Sequence, residues 1–254
     1  MSNITFRPGT FAWREMLTTD VDTSVRFYGE LFGWKTESAP MPGGGTYVML
    51  HAGDRTIGGM MEVPMPELPA YWCSYVSVED VDKTAASVTE HGGKVAAGPF
   101  DAGTHGRLAI FVDPQGATIA AWRAANGDGE ARAPGLGEFV WDQLNTSDPA
   151  AATTFYEKVF GWTKKPFPGS SGGLQLLSAG TTEVAGLMQA PPGAPAHWLA
   201  YVAVEDLAAA EARAVRGGGK VFLERLKVGG HGAIGVIADN VGAMLGLFEA
   251  KKPA

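Results

Sequence analysis

Between Thr10 and Leu17 apolar and polar residues alternate around Phe11 and Trp13, a period of two with β-favouring aromatics that predicts a strand. From Asp20 the period changes to that of a helix. Val21, Val25, Tyr28 and Phe32 recur at helical spacing and Phe27 and Leu31 widen the stripe, so this face is expected to pack on a sheet. Asp20 stands where a short side-chain oxygen can accept from the first free N–H groups of the helix, and Gly33 stands where a left-handed residue can end it. Pro40–Gly45 reads as a loop, and Thr46–Ala52 with Arg55–Met61 as a hairpin around Gly53-Asp54. After the link at Pro64–Pro69 the order starts again. Tyr71–Val78 is predicted as a strand and Asp80–His91 as a helix stopped by Gly92-Gly93. Lys94–Phe100, Leu108–Val112 and Thr118–Trp122 are predicted as strands, the last two joined by a turn at Asp113–Gly116.

The same pattern is then written a second time. Gly9–Glu37 returns as Gly137–Lys165, an offset of 141 − 13 = 128, with Gly, Phe, Trp, Thr, Asp, Phe-Tyr and Phe-Gly-Trp in register. Tyr71–Val95 returns as His197–Val221 at 198 − 72 = 126, so two residues are missing from an intervening loop. Asp148 with Pro149 repeats the helix start, and Gly161 the stop. The chain is therefore a tandem duplication. Ala124–Gly135 is polar, Gly-rich and without periodicity, which divides the chain into a domain at 1–124, a linker at 125–136 and a domain at 137–254.

Composition narrows the class of partner. Of 254 residues 45% are hydrophobic and 19% charged, enough for each half to build a core. A net charge of −7 and a pI near 5.2 argue against nucleic-acid and anionic-membrane partners, both of which select basic surfaces. The N-terminal stretch has no apolar h-region and no run is long enough to span a bilayer, so a cytoplasmic protein is expected. The single cysteine, Cys73, cannot form an intrachain disulfide. Gly43–Gly45, Gly172-Gly173 and Gly217–Gly219 lack the context of nucleotide-binding loops and read as loops and a helix stop.

A doubled strand–helix–three-strand unit, with Phe-Tyr and Phe-Gly-Trp closing its first helix, Gly-Gly stopping the second and an Asp turn before the last strand, resembles the vicinal oxygen chelate superfamily. This is the group of glyoxalase I, bleomycin-resistance proteins and extradiol dioxygenases. The doubled GxFxW and FYxxxFGW pattern is similar to a tandem, glyoxalase-like actinobacterial subgroup labelled hydroxylase. The resemblance implies an α+β fold of two tandem glyoxalase/bleomycin-resistance-like domains, each of two βαβββ modules curled into a cup-shaped sheet. It also implies a divalent metal held by His, Gln or Glu at the floor of an active cup. The positions that match those ligands hold Trp13 and Cys73 in the first half and Trp141 and Leu199 in the second. The glutamate positions hold Ala120 and Gly246, and the segments Gly59–Met61 and Gly186–Met188 offer no carboxylate. Such side chains do not supply a ligand set for a divalent ion. No cofactor is therefore expected, although the resemblance keeps a divalent metal open.

Alternation along the strands places Trp13 and Glu15 on one face, with Cys73, Tyr75, Ser77, Thr118, Ala120 and Trp122. The second half repeats this with Trp141, Gln143, Leu199, Tyr201, Ala203, Met244, Gly246 and Phe248. An aromatic floor with few polar groups suits a flat, largely apolar organic ligand, the partner expected here. Trp13 and Trp141 have the alternative of plugging the core. Glu15 is the candidate acid or base, its counterpart Gln143 being unable to serve, and its alternative is pairing with an arginine such as Arg107. His105 and His231 recur before a strand and are kept as ligand-contact candidates, the alternative being a loop imidazole bonded to backbone. Cys73 lacks an evident positive neighbour and reads as a small buried hydrophobe. Two functions follow: sequestration or resistance-type binding of a small aromatic molecule, or a glyoxalase-like lyase, hydroxylase or oxygenase using Glu15 or an unrecognised metal site. The tandem halves can pair within one chain, so either a monomer or a homodimer is expected.

Overall fold

The computed structural model describes residues 4–41, 44–167 and 173–251. Gly43 and Gly172, two of the glycines read as loop residues, lie outside them. The first half runs β1 (Phe11–Thr18), α1 (Val21–Phe32), β2 (Lys35–Pro40), β3 (Thr46–Ala52), β4 (Arg55–Glu62), β5 (Tyr71–Ser77), α2 (Val81–Glu90), β6 (Lys94–Ala102), β7 (Gly106–Val112) and β8 (Thr118–Ala124). The second half repeats it as β9 (Phe139–Thr146), α3 (Pro149–Phe160), β10 (Thr163–Pro166), β11 (Gln175–Ala179), β12 (Thr182–Gln189), β13 (His197–Ala203), α4 (Leu207–Arg216), β14 (Lys220–Val228), β15 (Gly232–Ala238) and β16 (Met244–Ala250). Each half contributes an eight-stranded sheet, in the order β2-β3-β4-β1-β5-β8-β7-β6 and its repeat. Within each βαβββ module the first and last strands are parallel neighbours, as in Glu15 opposite Gly59 and Gln143 opposite Gly186.

Strands β2 and β10 are the elements that hydrophobic patterning passes over. Every residue of both is exposed, so neither strand has a buried face to impose an alternation, and main-chain pairing alone defines them. The helix ends follow the local chemistry. Asp20, Asp80, Asp148 and Asp206 each accept from backbone N–H groups of the first turn, and Gly33 and Gly161 close α1 and α3 at φ of 74° and 69°. The buried stripe of α1 is rotated from the expected one. Ser24, Phe27, Tyr28 and Leu31 are buried while Val21, Val25 and Phe32 lie at the margin, and Ser24 shares a 2.7 Å hydrogen bond with Thr18.

Backbone proximity divides the chain into two compact units, each drawing on both halves of the sequence. One comprises Met1–Ala12, Ser74–Arg132 and Asp142–Trp198, the other Trp13–Cys73, Ala133–Trp141 and Leu199–Ala254. The second of these has a core of Met16, Phe27, Leu31, Val48, Leu50 and Met60 with Ala200, Leu207 and Leu247. In it the Tyr28 hydroxyl donates to Asp239 Oδ2 at 2.8 Å and accepts from the Trp72 indole at 2.8 Å. Trp34 stacks on Tyr28 with centroids 5.4 Å apart and donates to the Gly137 carbonyl at 2.7 Å. The other unit repeats this in its own residues. Tyr156 donates to Asp113 at 2.9 Å and accepts from Trp198 at 2.8 Å, while Trp162 stacks on Tyr156 and donates to the Gly9 carbonyl at 2.8 Å. The repeated Phe-Tyr and Phe-Gly-Trp motif and the Asp turn are thus one structural device, with each tyrosine bound to the aspartate of the opposite half of the sequence.

Both turn aspartates are 4% exposed. Oδ1 of each closes its own turn, accepting from Gln115 and Ala117 or from Val241 and Ala243. Burial is the largest influence on both, outweighing these hydrogen bonds and pushing each carboxyl above its usual 3.8. An acid whose pKa is raised in the folded state holds its proton more tightly there than when unfolded. Its contribution is therefore present in full below pH 3.8 and is lost as pH rises through the folded value. Asp239→Asn is accordingly expected to flatten the fall in urea midpoint as pH rises through this window. An unchanged slope in the variant would refute this.

The segment read as a linker is fastened at Asp128. Asp128 Oδ2 accepts from the Arg7 amide and from the Ser77 hydroxyl, both at 2.6 Å, and its amide donates to the Thr5 carbonyl.

Candidate functional site

Alternation along β1 separates two kinds of residue. Met16 and Thr18, fully buried, face the helix side, and Trp13 and Glu15 project from the opposite side. There the Trp13 indole donates to the Tyr47 hydroxyl at 3.1 Å, and that hydroxyl donates to Glu15 Oε1 at 2.7 Å. Glu15 is 8% exposed. Tyr47 reaches it because its paired neighbour strand carries Gly59, directly opposite Glu15; a Cβ at Gly59 would collide with the Tyr47 ring and hydroxyl. Burial first, then the charge of Glu15, pushes the Tyr47 phenol far above its usual range, so it is a proton donor and never a phenolate at neutral pH. Tyr71 is raised by burial, then by Cys73 and Glu15. Burial, then Glu15, drives the Cys73 thiol well up. Cys73, fully buried, is a packed thiol without nucleophilic character.

The pairing of Glu15 with Arg107, weighed above as an alternative, is not formed. Arg107 binds Asp82 through two nitrogens at 2.7 and 2.9 Å and Asp101 at 2.9 Å. Tyr47 and Tyr71 were missed in the sequence. Their signal was there, since Tyr47 alternates with Val48 and Leu50 of the core, but its strand register against Gly59 is set by pairing alone.

The other candidates have separate surroundings. In the unit containing Ser74–Arg132, Tyr75 is 3% exposed and opposite Ala120, and Trp122 is half-buried with its ring lying over Gly106. His105 and His231 are exposed turn residues; their amides donate to the Ala102 and Val228 carbonyls, and their carbonyls accept from Ala125 and Lys251. In the same unit Gln143 donates to Asn145 Oδ1 at 3.0 Å and lies 3.1 Å from Met188 sulfur. Asn145 in turn bonds His197 Nε2 at 3.2 Å, and the other ring nitrogen of His197 lies 2.9 Å from the Pro195 carbonyl. That amide and imidazole chain was not anticipated; His197 had no histidine counterpart because the 126 offset places Tyr71 there. In the other unit Trp141 packs against a cluster of Leu199, Tyr201 and Val236, and Phe248 is half-buried opposite Ile234. The Tyr201 ring lies against Gly246, where any side chain would meet it.

The positions that correspond to metal ligands can be tested on their donors. Trp13 is committed to Tyr47, Cys73 is a buried thiol, Ala120, Leu199 and Gly246 have no donor atom, and Gly59 and Gly246 are covered by tyrosine rings. Among the described residues no three His, Cys, Asp or Glu side chains form a group able to hold an ion. The residues at these positions do not fit a divalent metal. Among the described residues, too, no helix is long and apolar enough to cross a membrane.

The chain is 36% identical over 255 residues to CFP32 of Mycobacterium tuberculosis (strain CDC 1551 / Oshkosh), which bears the name glyoxylase, covering 98% of this chain and 97% of that one. It is 30% identical over 236 residues to the anthracycline biosynthesis protein DnrV of Streptomyces peucetius, covering 85% and 84%. Among solved structures, the Mn(II)-bound glyoxalase of Novosphingobium aromaticivorans superposes with a TM-score of 0.64 at 16% identity over 96% of this chain and 82% of that one. A catechol 2,3-dioxygenase superposes with a TM-score of 0.63 at 16% identity over 98% and 90%. These structural likenesses concern the fold. A sequence model of the glyoxalase/bleomycin resistance protein/dioxygenase superfamily matches residues 10–121 and again 136–247, and the chain belongs to that superfamily, carrying two copies of its domain.

Proposed function

We propose that the chain binds a small, largely apolar or aromatic organic molecule on the face of the first half that carries Trp13, Tyr47 and Glu15, and that it does so without a metal at the positions tested above. One observation carries this reading: the side chain at the ligand-matching position 13 is an indole that donates into a Trp13–Tyr47–Glu15 hydrogen-bond chain, two half-buried aromatic side chains leading to a buried carboxylate. Aromatic faces supply contact area, and the carboxylate supplies orientation. The name of the Streptomyces relative, an anthracycline biosynthesis protein, supports a small-molecule role. The division at 1–124 and 137–254 belongs to the same proposal, each domain having its own face.

Titration with a planar neutral probe, 2-methylanthraquinone, followed by calorimetry tests it. Trp13→Phe removes the indole donor and part of the contact area and is expected to weaken binding by about tenfold, while Trp34→Phe, in the core, leaves the affinity unchanged in whatever fraction folds. Equal affinity in Trp13→Phe and the unaltered chain would remove Trp13 from the site and sink the reading.

A second reading is favoured by the Tyr47–Glu15 bond itself, a donor and an acceptor 2.7 Å apart. In a lyase, hydroxylase or oxygenase Glu15 would take a proton from the substrate while Tyr47 steadies the carboxylate. Glu15→Gln separates the two readings. Loss of turnover with binding retained identifies an enzyme; loss of selectivity between ligands alone identifies a binding protein.

A further inference from the structure

We infer that the second half carries a ligand site of its own, which receives the N–H or O–H group of a small neutral molecule at Oε1 of Gln143. It uses none of the residues of the binding reading above and stands or falls apart from it. Its residues, Gln143, Asn145, Leu176, Met188 and His197, all belong to one compact unit.

Three observations lead there. The first is the direction of a hydrogen-bond chain. The Pro195 carbonyl can only accept, so Nδ1 of His197, 2.9 Å away, carries the ring proton, and Nε2 of the neutral ring is an acceptor. Asn145 therefore turns its Nδ2 donor to Nε2 at 3.2 Å and its Oδ1 to Gln143, whose Nε2 donates to it at 3.0 Å. Each group is oriented by the one before it, and the chain ends on the Gln143 oxygen. Among the described residues none donates to that oxygen, and it is open to solvent although Gln143 as a whole is only 9% exposed. Bonds aligned head to tail polarise one another, which makes this end a better acceptor than a lone amide. A donor on the ligand is its complement, and a ligand ether or ketone oxygen is not. The second observation is the flank of that oxygen. The Met188 sulfur lies 3.1 Å from Gln143 Nε2, and buried Leu176 stands opposite Gly186, the residue paired with Gln143. Apolar side chains around one oriented polar atom suit a molecule with an apolar body and a single donor.

The third is the first half, which serves as an internal comparison. Gln143 stands at the place of Glu15, Asn145 at that of Leu17 and His197 at that of Tyr71. Met49 and Leu176 both stand opposite the glycine that faces Glu15 or Gln143, so two residues earlier Leu174 replaces Tyr47. Leu17 is buried, so the fold accepts a leucine where Asn145 stands, and desolvating an amide there is a cost that packing does not require. The chain from His197 to Gln143 therefore belongs to the second half alone, where it holds one acceptor in one direction.

The test titrates the full, isotope-labelled chain with 2-naphthol, neutral at pH 7, and with 2-methoxynaphthalene, which has the same rings and no donor. The side-chain amide resonances of Gln143 and Asn145, assigned by their loss in Gln143→Met and Asn145→Leu, report on this site, so binding to the face of the first half does not intrude. 2-Naphthol is expected to shift both resonances with an affinity at least about fivefold above that of its methyl ether. In Gln143→Met, followed on the Asn145 amide, this ratio is expected to fall to about one, since the thioether keeps the length of the side chain and removes the acceptor. Asn145→Leu installs the residue that the first half holds at this place, which guards against a loss caused by misfolding. Followed on the Gln143 amide, it is expected to lower the ratio to about twofold or less, because Gln143 loses the partner that fixes its direction. Equal affinity of the two probes in the unaltered chain would overturn the inference, as would a ratio that survives Gln143→Met. Both amide resonances unmoved by either probe would overturn it as well, and would leave the reading of the first half standing.

Discussion

Replacing Tyr28 by phenylalanine is expected to lower stability by about 3 kcal/mol, read as a shift in the urea midpoint by far-ultraviolet circular dichroism. The loss comes from two groups that remain. Asp239 Oδ2 loses its phenol donor, and the Trp72 indole N–H loses its acceptor, both in a region from which water is excluded. Leaving buried polar groups unsatisfied costs about 1–3 kcal/mol each, more for a charged one, whereas the phenyl ring itself still fills the space. Tyr156→Phe is expected to cost a similar amount, because Asp113 and Trp198 surround it in the same way. Adding Trp72→Phe to Tyr28→Phe should cost less than the two separate changes summed, since the second removes a donor already orphaned by the first. A loss below about 1 kcal/mol for either tyrosine would mean that the turn amides alone satisfy the aspartate.

Restoring a glutamate to the second half, by Gly246→Glu, is expected to be at least as damaging, roughly 3 kcal/mol or more. Position 246 is the one that the family resemblance matches to a metal-holding glutamate, so the substitution places a carboxylate where that resemblance implies one. The Tyr201 ring, 3% exposed and lying against Gly246, prevents it. A Cβ there meets ring carbons that cannot swing away, since Tyr201 is held among Leu199, Val236 and Met244. Tyr201→Ala alone leaves a cavity and is also destabilising, by about 3–5 kcal/mol as for other large aromatic truncations. Combined, the two changes should be less harmful than their sum, because each relieves the defect the other creates. Near-native stability of Gly246→Glu by itself would show that the tyrosine yields, and metal uptake by that variant would then become the informative experiment.

The tyrosines of the first expectation belong to the motif that made the chain readable. The Phe-Tyr and Phe-Gly-Trp motif stands out in the sequence because it occurs twice, and in the structure it is the internal fastening of each compact unit. Its repetition reflects packing, and the proposed binding face lies elsewhere, at positions where the two copies differ. Glu15 against Gln143 and Tyr47 against Leu174 are such positions. Divergence within a duplicated chain is the more informative signal, because a shared core maintains itself in both copies while a ligand needs only one.

Taken alone, the chain determined the duplication, the order of strands and helices, the aspartate caps and glycine stops, and the sorting of β1, β5, β9 and β13 into two faces. All of these depend on neighbours a few residues apart, through the periods of helix and strand and the local chemistry of helix ends. The exposed edge strands β2 and β10 escaped because burial is what writes an alternation into a strand, and they have none. Only the tertiary structure decided which partners meet across long separations: Tyr28 with Asp239, 211 residues away, and Tyr47 with Glu15, 32 residues away. Those pairings depend on strand order and register. A shift of one residue in the pairing of β3 with β4 would turn Tyr47 to the other face and leave Glu15 without its donor, and no local pattern records that choice.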